Sequence, residues 1–181
     1  MSPGRKLLLN YFAYGSNMLR QRLVARVGDV NEDGAARLEG YRLDFDKAGM
    51  DGSGKCNISP STNPDDHVWG VVFGMTWEQK LLLDAFEGPG YGLHDIALSR
   101  GEDVVTAFAY RAHADQIDNR RRPFHWYRNL VLAGAVQYEL PQAYIAGIRA
   151  VTTVIDPDTD RHTDNTVLIE QAGLSAILEQ A

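Results

Sequence analysis

Cysteine is nearly absent from this sequence. Its only cysteine is Cys56, so the chain cannot form an intramolecular disulfide or a zinc site made of cysteines. This usage predicts a reducing compartment, and we expect a cytoplasmic location. Long apolar runs are also missing, because the run at 7–9 is too short for a transmembrane helix. That run lacks a signal-peptide cleavage pattern, so we expect no secretory signal.

Basic residues are outnumbered by acidic ones. The chain has 18 Lys and Arg against 24 Asp and Glu, which gives a formal net charge of −6. We therefore expect no nucleic-acid partner and no anionic membrane surface. Hydrophobic residues make up 44% and charged residues 23% of the 181 positions, as in ordinary globular proteins. The length predicts a single domain over 1–181.

The hydrophobic pattern predicts both strands and helices. Strands are expected at 7–14, 36–45, 67–75, 91–98 and 104–110, and the segment 46–66 is expected to be a loop with a short strand near 56–59. Helices are expected at 18–27, 76–86, 123–137, 142–150 and 166–178. Their alternation is too irregular for a doubly wound sheet. The predicted fold class is α+β, a small mixed sheet or barrel with surrounding helices.

Three helix starts carry candidate capping residues. Ser16 or Asn17 is expected to cap the first helix, Thr76 the second, and Asp164 or Asn165 the last.

The first candidate site is the segment Tyr11–Asn17, a strand that ends in a glycine turn before a helix. Such a turn leaves several backbone N–H groups convergent, and these can hold a carboxylate, a phosphate or a developing oxyanion. The alternative is an ordinary turn with Ser16 as its cap. The turn is neither a phosphate loop nor a nucleophile elbow, because the residues that define those motifs are missing.

Glu87 is the second candidate. It follows an apolar helix and precedes a Gly-Pro-Gly break. A carboxylate beside Phe86 at an apolar helix end can be desolvated, which raises its pKa and makes it a better general base near neutral pH. A glutamate is unfavourable at a helix C-terminus, which suggests that another role selected it. The alternative is a solvated loop glutamate.

Three weaker patterns favour no site. The segment Asp156–Asp160 begins like a calcium-binding loop, but Arg161 and Val167 stand where glycine and glutamate are needed, so we interpret it as a solvated acidic loop. The five histidines show no metal-ligand spacing, and we expect no metal and no cofactor. The basic run Arg120–Arg122 is either a solvated face or an attractor for an anionic substrate.

Four segments, taken in order, resemble the gamma-glutamylcyclotransferase family. YFAYGSNM is similar to its Tyr-Gly-Ser-Asn loop, HVWGVVFGM to its V-W-G-V-V strand, and LDAFEGPGY to its L-D-x-x-E-G segment. PFHWYRNLVLAGA is similar to its P-x-x-x-Y-x-x-x-[ILV]-x-x-G-A segment. Together they span most of residues 9–150. The resemblance implies a compact mixed barrel with helices and an enzyme that needs neither metal nor cofactor.

The resemblance also assigns site residues. Glu87 matches the family's general base. The substrate-binding residues that it implies are Tyr11, Phe12, Ala13, Tyr14, Gly15, Ser16 and Asn17 in the loop, with Tyr127, Tyr110 and Tyr91 on the pocket wall.

The implied reaction cyclises a gamma-glutamyl amino acid or amide to 5-oxoproline and releases a free amino acid or amine. Two alternatives stay open: the same chemistry on glutathione, an epsilon-lysine conjugate or a gamma-glutamyl amine, and a non-catalytic small-ligand module on the same fold. A small-molecule substrate is the implied partner, and the resemblance is compatible with a homodimer.

Overall fold

A barrel of strands forms the centre of the computed structural model, which describes residues 8–179. The strands are β1 Leu9–Ala13, β2 Asn31–Glu39, β3 Tyr41–Ala48, β4 Gly54–Pro60, β5 His67–Met75, β6 Tyr91–Arg100 and β7 Asp103–Ala112. The helices are α1 Arg20–Val27, α2 Trp77–Glu87, α3 His125–Gln137, α4 Gln142–Arg149, α5 Thr159–Gln171 and α6 Ala176–Glu179. Strands β1, β5, β2, β6 and β7 close the barrel in that order, while β3 and β4 form a separate two-stranded sheet. The predicted α+β class is confirmed.

The barrel closes through its first strand. Strand β1 pairs antiparallel with β5 and meets β7 in parallel at Tyr11 and Phe108. Phe12 and Phe73 are fully buried in the core. A Cβ at Gly70 would lie 2.6 Å from the Phe12 ring, so glycine leaves room for that ring against β5. The strands predicted at 67–75, 91–98 and 104–110 are confirmed, and the first is found as β1, although Leu7 lies outside the described residues.

Helix α3 packs across the end of β1. Its residues 126–135 are all buried, and it contacts the short 3₁₀ turn Ser16–Met18 that follows β1. A Cβ at Gly134 would lie 2.5 Å from the Met18 Cβ and 2.6 Å from the Leu19 nitrogen. Glycine at this position therefore lets the helix press directly on the turn and hold it in place.

The single strand expected at 36–45 is wrong. Gly40, with φ of 72°, divides it into β2, which belongs to the barrel, and β3, which turns away to pair with β4. The segment 46–66 contains more strand than expected, since β3 reaches Ala48. The short strand expected near 56–59 is confirmed, and β4 extends it at both ends. Strand β4 has polar residues that are buried: the Asn57 Oδ1 accepts a hydrogen bond from the Ala112 N–H at 3.0 Å. A strand whose buried residues are polar in this way has an amino-acid composition like that of a loop.

Helix starts differ from the prediction at both ends of the chain. Neither Ser16 nor Asn17 caps α1, which starts at Arg20 after Leu19. The expected last helix at 166–178 is also wrong, because α5 begins earlier, with Asp158 accepting from the Arg161 N–H at 2.9 Å.

The second helix agrees with the prediction at its start. Thr76 and Gln79 form a capping box at the N-terminus of α2. The residues on the apolar face of this helix each expose about half of their surface to solvent. Only Lys80 and Leu83 of the helix are buried. Among the described residues, no helix is long and apolar enough to cross a lipid bilayer.

Asp156 contradicts the interpretation of its segment as a solvated loop. Its side chain has no exposed surface. One carboxylate oxygen accepts from the Trp126 Nε1 and from the Arg161 Nε, each at 2.7 Å. The hydrogen bonds from Arg161 hold the pKa of the Asp156 carboxyl well below its ordinary range. Asp156 therefore joins the start of α5 to α3.

Candidate active site

A pocket opens where β1 runs into the 3₁₀ turn. It encloses about 770 Å³, open mouth included. Its walls come from the barrel, from β3 and β4, and from three helices, so segments far apart in sequence meet there. The lining residues are Tyr11, Tyr14, Gly15, Ser16, Asn17, Arg22, Arg26, Lys47, Gly49, Met50, Lys55, Cys56, Phe86, Glu87, Tyr91, Tyr110 and Tyr127.

The turn Gly15–Asn17 forms one wall of the pocket. A Cβ at Gly15 would lie 3.0 Å from the Cys56 Cβ, so glycine allows the backbone to approach β4 closely. Ser16 and Asn17 are buried, and the Ser16 Oγ accepts a hydrogen bond from the Arg22 Nε at 3.0 Å. The first N–H groups of a helical turn have no partner within that turn. This wall can therefore offer donors to an anionic group.

Glu87 is the last residue of α2 and lies against this wall. The Asn17 Nδ2 donates to its Oε1 at 2.8 Å, and an Arg26 guanidinium nitrogen lies 3.5 Å from the same oxygen. Only 15% of the Glu87 side chain is exposed. Burial raises the pKa of this carboxyl above its ordinary value near 4.5, while Arg26 and Asn17 oppose that shift. Glu87 is thus a weakly paired, buried carboxylate that can accept a proton.

The hydroxyls of Tyr127 and Tyr91 both form hydrogen bonds with the backbone of β4, beside this carboxylate. The Tyr127 hydroxyl, from the first turn of α3, accepts from the Cys56 N–H at 3.0 Å. The Tyr91 hydroxyl donates to the Cys56 carbonyl at 2.8 Å. Burial raises the pKa of the Cys56 thiol to about 12 and also raises the pKa of both tyrosines. All three groups therefore stay neutral at ordinary pH.

Tyr14 and Tyr110 complete the aromatic wall. The Tyr14 hydroxyl donates to the Tyr110 carbonyl, and the Tyr110 hydroxyl donates to the Asp84 Oδ1 at 2.6 Å. Tyr11 stacks on Phe108 with ring centroids 5.3 Å apart.

Two of the residues assigned by resemblance do not line the pocket. Phe12 and Ala13 are fully buried in the barrel core, and the Phe12 ring lies against Gly70. They belong to the strand that carries the loop. The structure brings the other predicted positions together around Glu87.

Sequence reasoning missed the cations of the pocket. Arg22 and Arg26 lie one helical turn apart on α1, directly after the turn, and this spacing was a usable signal. Lys47 and Lys55 lie in the region mistaken for a loop. Burial lowers the pKa of both lysines, and burial beside Arg26 lowers the pKa of Arg22 to about 9.

The two lysines differ in their partners. The Lys55 ammonium lies 2.6 Å from the Asp51 carboxylate and 4.7 Å from the centre of the Tyr127 ring. The Lys47 ammonium lies 4.9 Å from the centre of the Tyr91 ring and is not among the ion pairs of the described residues. Lys47 is only 8% exposed, so its charge faces the pocket rather than open solvent.

The remaining polar patterns lie away from this pocket. Arg120 and Arg121 both pair with Asp118, beside a separate shallow cleft. Within residues 8–179, no three His, Cys, Asp or Glu side chains are grouped closely enough to hold a metal ion.

Comparisons with known proteins agree with the resemblance seen in the sequence. A model of the AIG2-like family matches residues 67–148. Human gamma-glutamylcyclotransferase is 28% identical over 149 residues, which cover 78% of this chain and 77% of the human one. A solved structure described as a gamma-glutamyl cyclotransferase superposes with a TM-score of 0.78 at 24% identity, covering 91% of this chain and 99% of the other.

A yeast structure described as a gamma-glutamyl cyclotransferase specific to glutathione has a TM-score of 0.53 at 12% identity, covering 93% and 97% of the two chains. At these identities the two structures show a shared fold alone. The resemblance to the gamma-glutamylcyclotransferase family is nevertheless confirmed, and the curated relatives support an enzyme of that type.

Proposed function

We propose that this protein is a cyclotransferase that converts gamma-glutamyl amino acids to 5-oxoproline and a free amino acid, with Glu87 as the general base. The observation that carries this proposal is the buried Glu87 carboxylate, whose pKa is raised and which accepts from the Asn17 amide of the Tyr-Gly-Ser-Asn turn at 2.8 Å. A proton acceptor and a wall of donors thus face one pocket.

The nucleophile in this reaction is part of the substrate. Its alpha-amine attacks its own gamma-carbonyl carbon, the new C–N bond closes the five-membered ring, and the amide bond to the leaving nitrogen breaks. The alpha-ammonium has three protons and the lactam nitrogen keeps one. Glu87 accepts the other two in turn, the first before the attack and the second as the ring nitrogen becomes an amide, and passes each to the leaving nitrogen. The leaving group therefore departs as an ammonium, and the enzyme ends unchanged. Orientation of the two groups can lower the barrier by roughly 7–11 kcal/mol, and one positioned base typically adds about 10²–10⁴-fold.

The turn supplies the anion-binding part of the site. The N–H groups of Gly15 and Ser16 take either the alpha-carboxylate of the glutamyl head or the oxyanion that develops on the gamma-carbonyl. Tyr14, Tyr110 and Tyr127 are neutral, buried walls that fold the substrate into its reactive shape. Tyr91 belongs to the same wall, with its ring beneath the Lys47 ammonium.

The cations favour a leaving group that carries a carboxylate. Lys47 brings a buried positive charge to the pocket, whereas the charge of Lys55 is neutralised by Asp51. A leaving amino acid, or the peptide released from glutathione, offers a carboxylate to such a charge, but a gamma-glutamyl amine does not. We therefore rank gamma-glutamyl amines last among the candidate substrates.

The test is 5-oxoproline release measured over a panel of gamma-glutamyl amino acids, glutathione, gamma-glutamyl-epsilon-lysine and a gamma-glutamyl amine. We expect the protein to release 5-oxoproline fastest from a member that has a carboxylate on its leaving group. Binding of panel members without release of 5-oxoproline from any of them would overturn the proposal and favour the non-catalytic module.

A further inference from the structure

The Asn17 side chain forms hydrogen bonds with three neighbouring side chains. Its Nδ2 donates to the Glu87 Oε1 at 2.8 Å and to the Tyr11 hydroxyl at 3.1 Å. Its Oδ1 accepts from an Arg26 guanidinium nitrogen at 3.0 Å. Both ends of the amide are therefore engaged inside a buried site.

The three neighbours differ in whether they can donate a hydrogen bond to an amide, accept one from it, or do both. A guanidinium has only donors, so Arg26 can meet the oxygen of the Asn17 amide but not its nitrogen. An ionised carboxylate has only acceptors, so it needs the amide nitrogen. A hydroxyl such as that of Tyr11 can do either. Arg26 is thus the neighbour that fixes which end of the amide faces Glu87.

Arg26 also touches the carboxylate itself. Its guanidinium nitrogen lies 3.5 Å from the Glu87 Oε1, and its carbon lies 5.2 Å from the centre of the Phe86 ring. The guanidinium is therefore held between the last two residues of α2 and the Asn17 amide. At 3.5 Å the contact with Glu87 is long for a hydrogen bond, which leaves the carboxylate able to accept a proton.

We propose that Arg26 is a positioning residue for Glu87, since it turns the Asn17 amide nitrogen toward the carboxylate and favours the ionised form that a general base needs. This inference rests on the proposed function. Without Arg26, the amide can rotate and present its oxygen, and that arrangement is stable only with a protonated Glu87. A larger share of the enzyme would then lack a competent base at a given pH.

Other groups also face Glu87 and must be considered in any pH profile. The cations are Arg22 on α1 and Lys47 on β3, both of which favour ionised Glu87. The remaining groups are neutral near pH 7, because burial raises their pKa: Tyr11, Tyr14, Cys56, Tyr91, Tyr110 and Tyr127. Glu87 is therefore the group whose titration Arg26 can move on the acidic side of the profile.

The experiment measures kcat/KM against pH for wild type, Arg26→Met and Arg26→Lys, by 5-oxoproline release from the best substrate of the panel. Met removes the charge and both hydrogen bonds, and it raises the pKa of Glu87. We expect the acidic limb of the Arg26→Met profile to move to higher pH and kcat/KM at neutral pH to fall roughly 10–100-fold. Arg26→Lys keeps the charge, so the acidic limb of its profile should lie closer to that of wild type than the limb of Arg26→Met does. Arg20→Met is the matched control, since Arg20 lies on the same helix but pairs with Asp29 and Glu32 outside the pocket.

A fall in activity with the acidic limb unmoved, or equal losses for Met and Lys, would overturn the positioning role. Should Arg26→Met fail to fold, Arg26→Gln takes its place, since it also removes the charge. An NMR titration that gives Glu87 in that variant the same pKa as in wild type would count against the proposal. A wild-type protein that releases no 5-oxoproline would instead remove the proposed function itself.

Discussion

Glu87 and Asp156 are both buried carboxylates that face an arginine, yet their surroundings differ in kind. Asp156 accepts from the Arg161 Nε and the Trp126 Nε1, each at 2.7 Å, and its pKa is held well below the ordinary range. Glu87 accepts from one amide at 2.8 Å and lies 3.5 Å from Arg26, and burial raises its pKa. Burial alone does not decide the role of a carboxylate. The number and closeness of its donors do.

The difference separates structure from chemistry. A carboxylate whose lone pairs are filled by short hydrogen bonds stabilises the fold and has little tendency to take a proton. A desolvated carboxylate with few donors weakens the fold slightly but is close to the protonation balance that acid–base catalysis needs. We therefore expect mutations at the two sites to affect different measurements.

The largest expected effect is the loss of turnover in Glu87→Gln. Gln has nearly the same shape but cannot accept a proton at neutral pH. We expect kcat for 5-oxoproline release to fall by about two to four orders of magnitude, with a smaller change in KM, because the lost interaction belongs to the transition state. Steady-state kinetics on the best panel substrate check this. A fall in kcat/KM that lies wholly in KM would mean that Glu87 binds substrate and does no proton transfer.

Asp156→Asn should show the opposite profile. The amide cannot replace the carboxylate that accepts from Trp126 and Arg161, so the link between α3 and α5 weakens. We expect Tm to fall by roughly 4–8 °C, the size expected when hydrogen bonds to one buried carboxylate are lost. Turnover well below the melting transition should stay near that of wild type. Thermal melts and kinetics at 20 °C measure both effects, and a variant with normal Tm and low turnover would break the comparison.

Tyr127 tests a smaller effect within the pocket. Its ring forms a wall and its hydroxyl accepts from the Cys56 N–H at 3.0 Å. Tyr127→Phe keeps the ring and should retain more activity than Tyr127→Ala, which opens a cavity beside Gly15. Equal and complete loss of 5-oxoproline release in both variants would point instead to a direct role for the hydroxyl.

The smallest expected effect is the pH dependence of stability, which should have opposite signs at the two carboxylates. The folded pKa of Glu87 is raised above 4.5, so its destabilising effect is absent below that pH and grows as the pH rises through the folded pKa. The folded pKa of Asp156 is lowered from 3.8, so its stabilising effect is present above that pH and is lost as the pH falls.

Urea unfolding between pH 3 and 8 checks these signs. Glu87→Gln should gain stability relative to wild type only as the pH rises above about 4.5. The destabilisation by Asp156→Asn should shrink only below about 3.8. If the stability differences of the two variants from wild type changed in the same direction with pH, the two carboxylates would have the same kind of environment.

Sequence patterns located the catalytic candidate better than its surroundings. The apolar run of β5, Thr76 as the cap of α2 and the glycine break after Glu87 are local signals, and each predicted its element correctly. The segments around Glu87 were also brought together by resemblance, because four motifs in order specify one fold. The physical contact between Asn17 and Glu87, at 2.8 Å, came only from the barrel.

What the sequence could not predict depends on distant partners. Asp156 has the composition of a solvated loop, and only Trp126 on α3 explains its burial. Strand β4 is longer than the short strand predicted near 56–59, and its polar Asn57 is buried because it accepts a hydrogen bond from β7. The one-turn spacing of Arg22 and Arg26 indicates two cations on one face of α1, but it does not predict that Arg26 contacts both Asn17 and Glu87. In each case a long-range hydrogen bond overrides the local composition.

The most direct test of the account measures 5-oxoproline release and the free energy of unfolding side by side for wild type, Glu87→Gln and Asp156→Asn. We predict a crossed result: Glu87→Gln loses at least a hundredfold in kcat and keeps or slightly gains stability, while Asp156→Asn keeps its turnover and loses stability. Near-normal turnover in a folded Glu87→Gln protein would contradict the account, because the carboxylate assigned to chemistry would then have no chemical role.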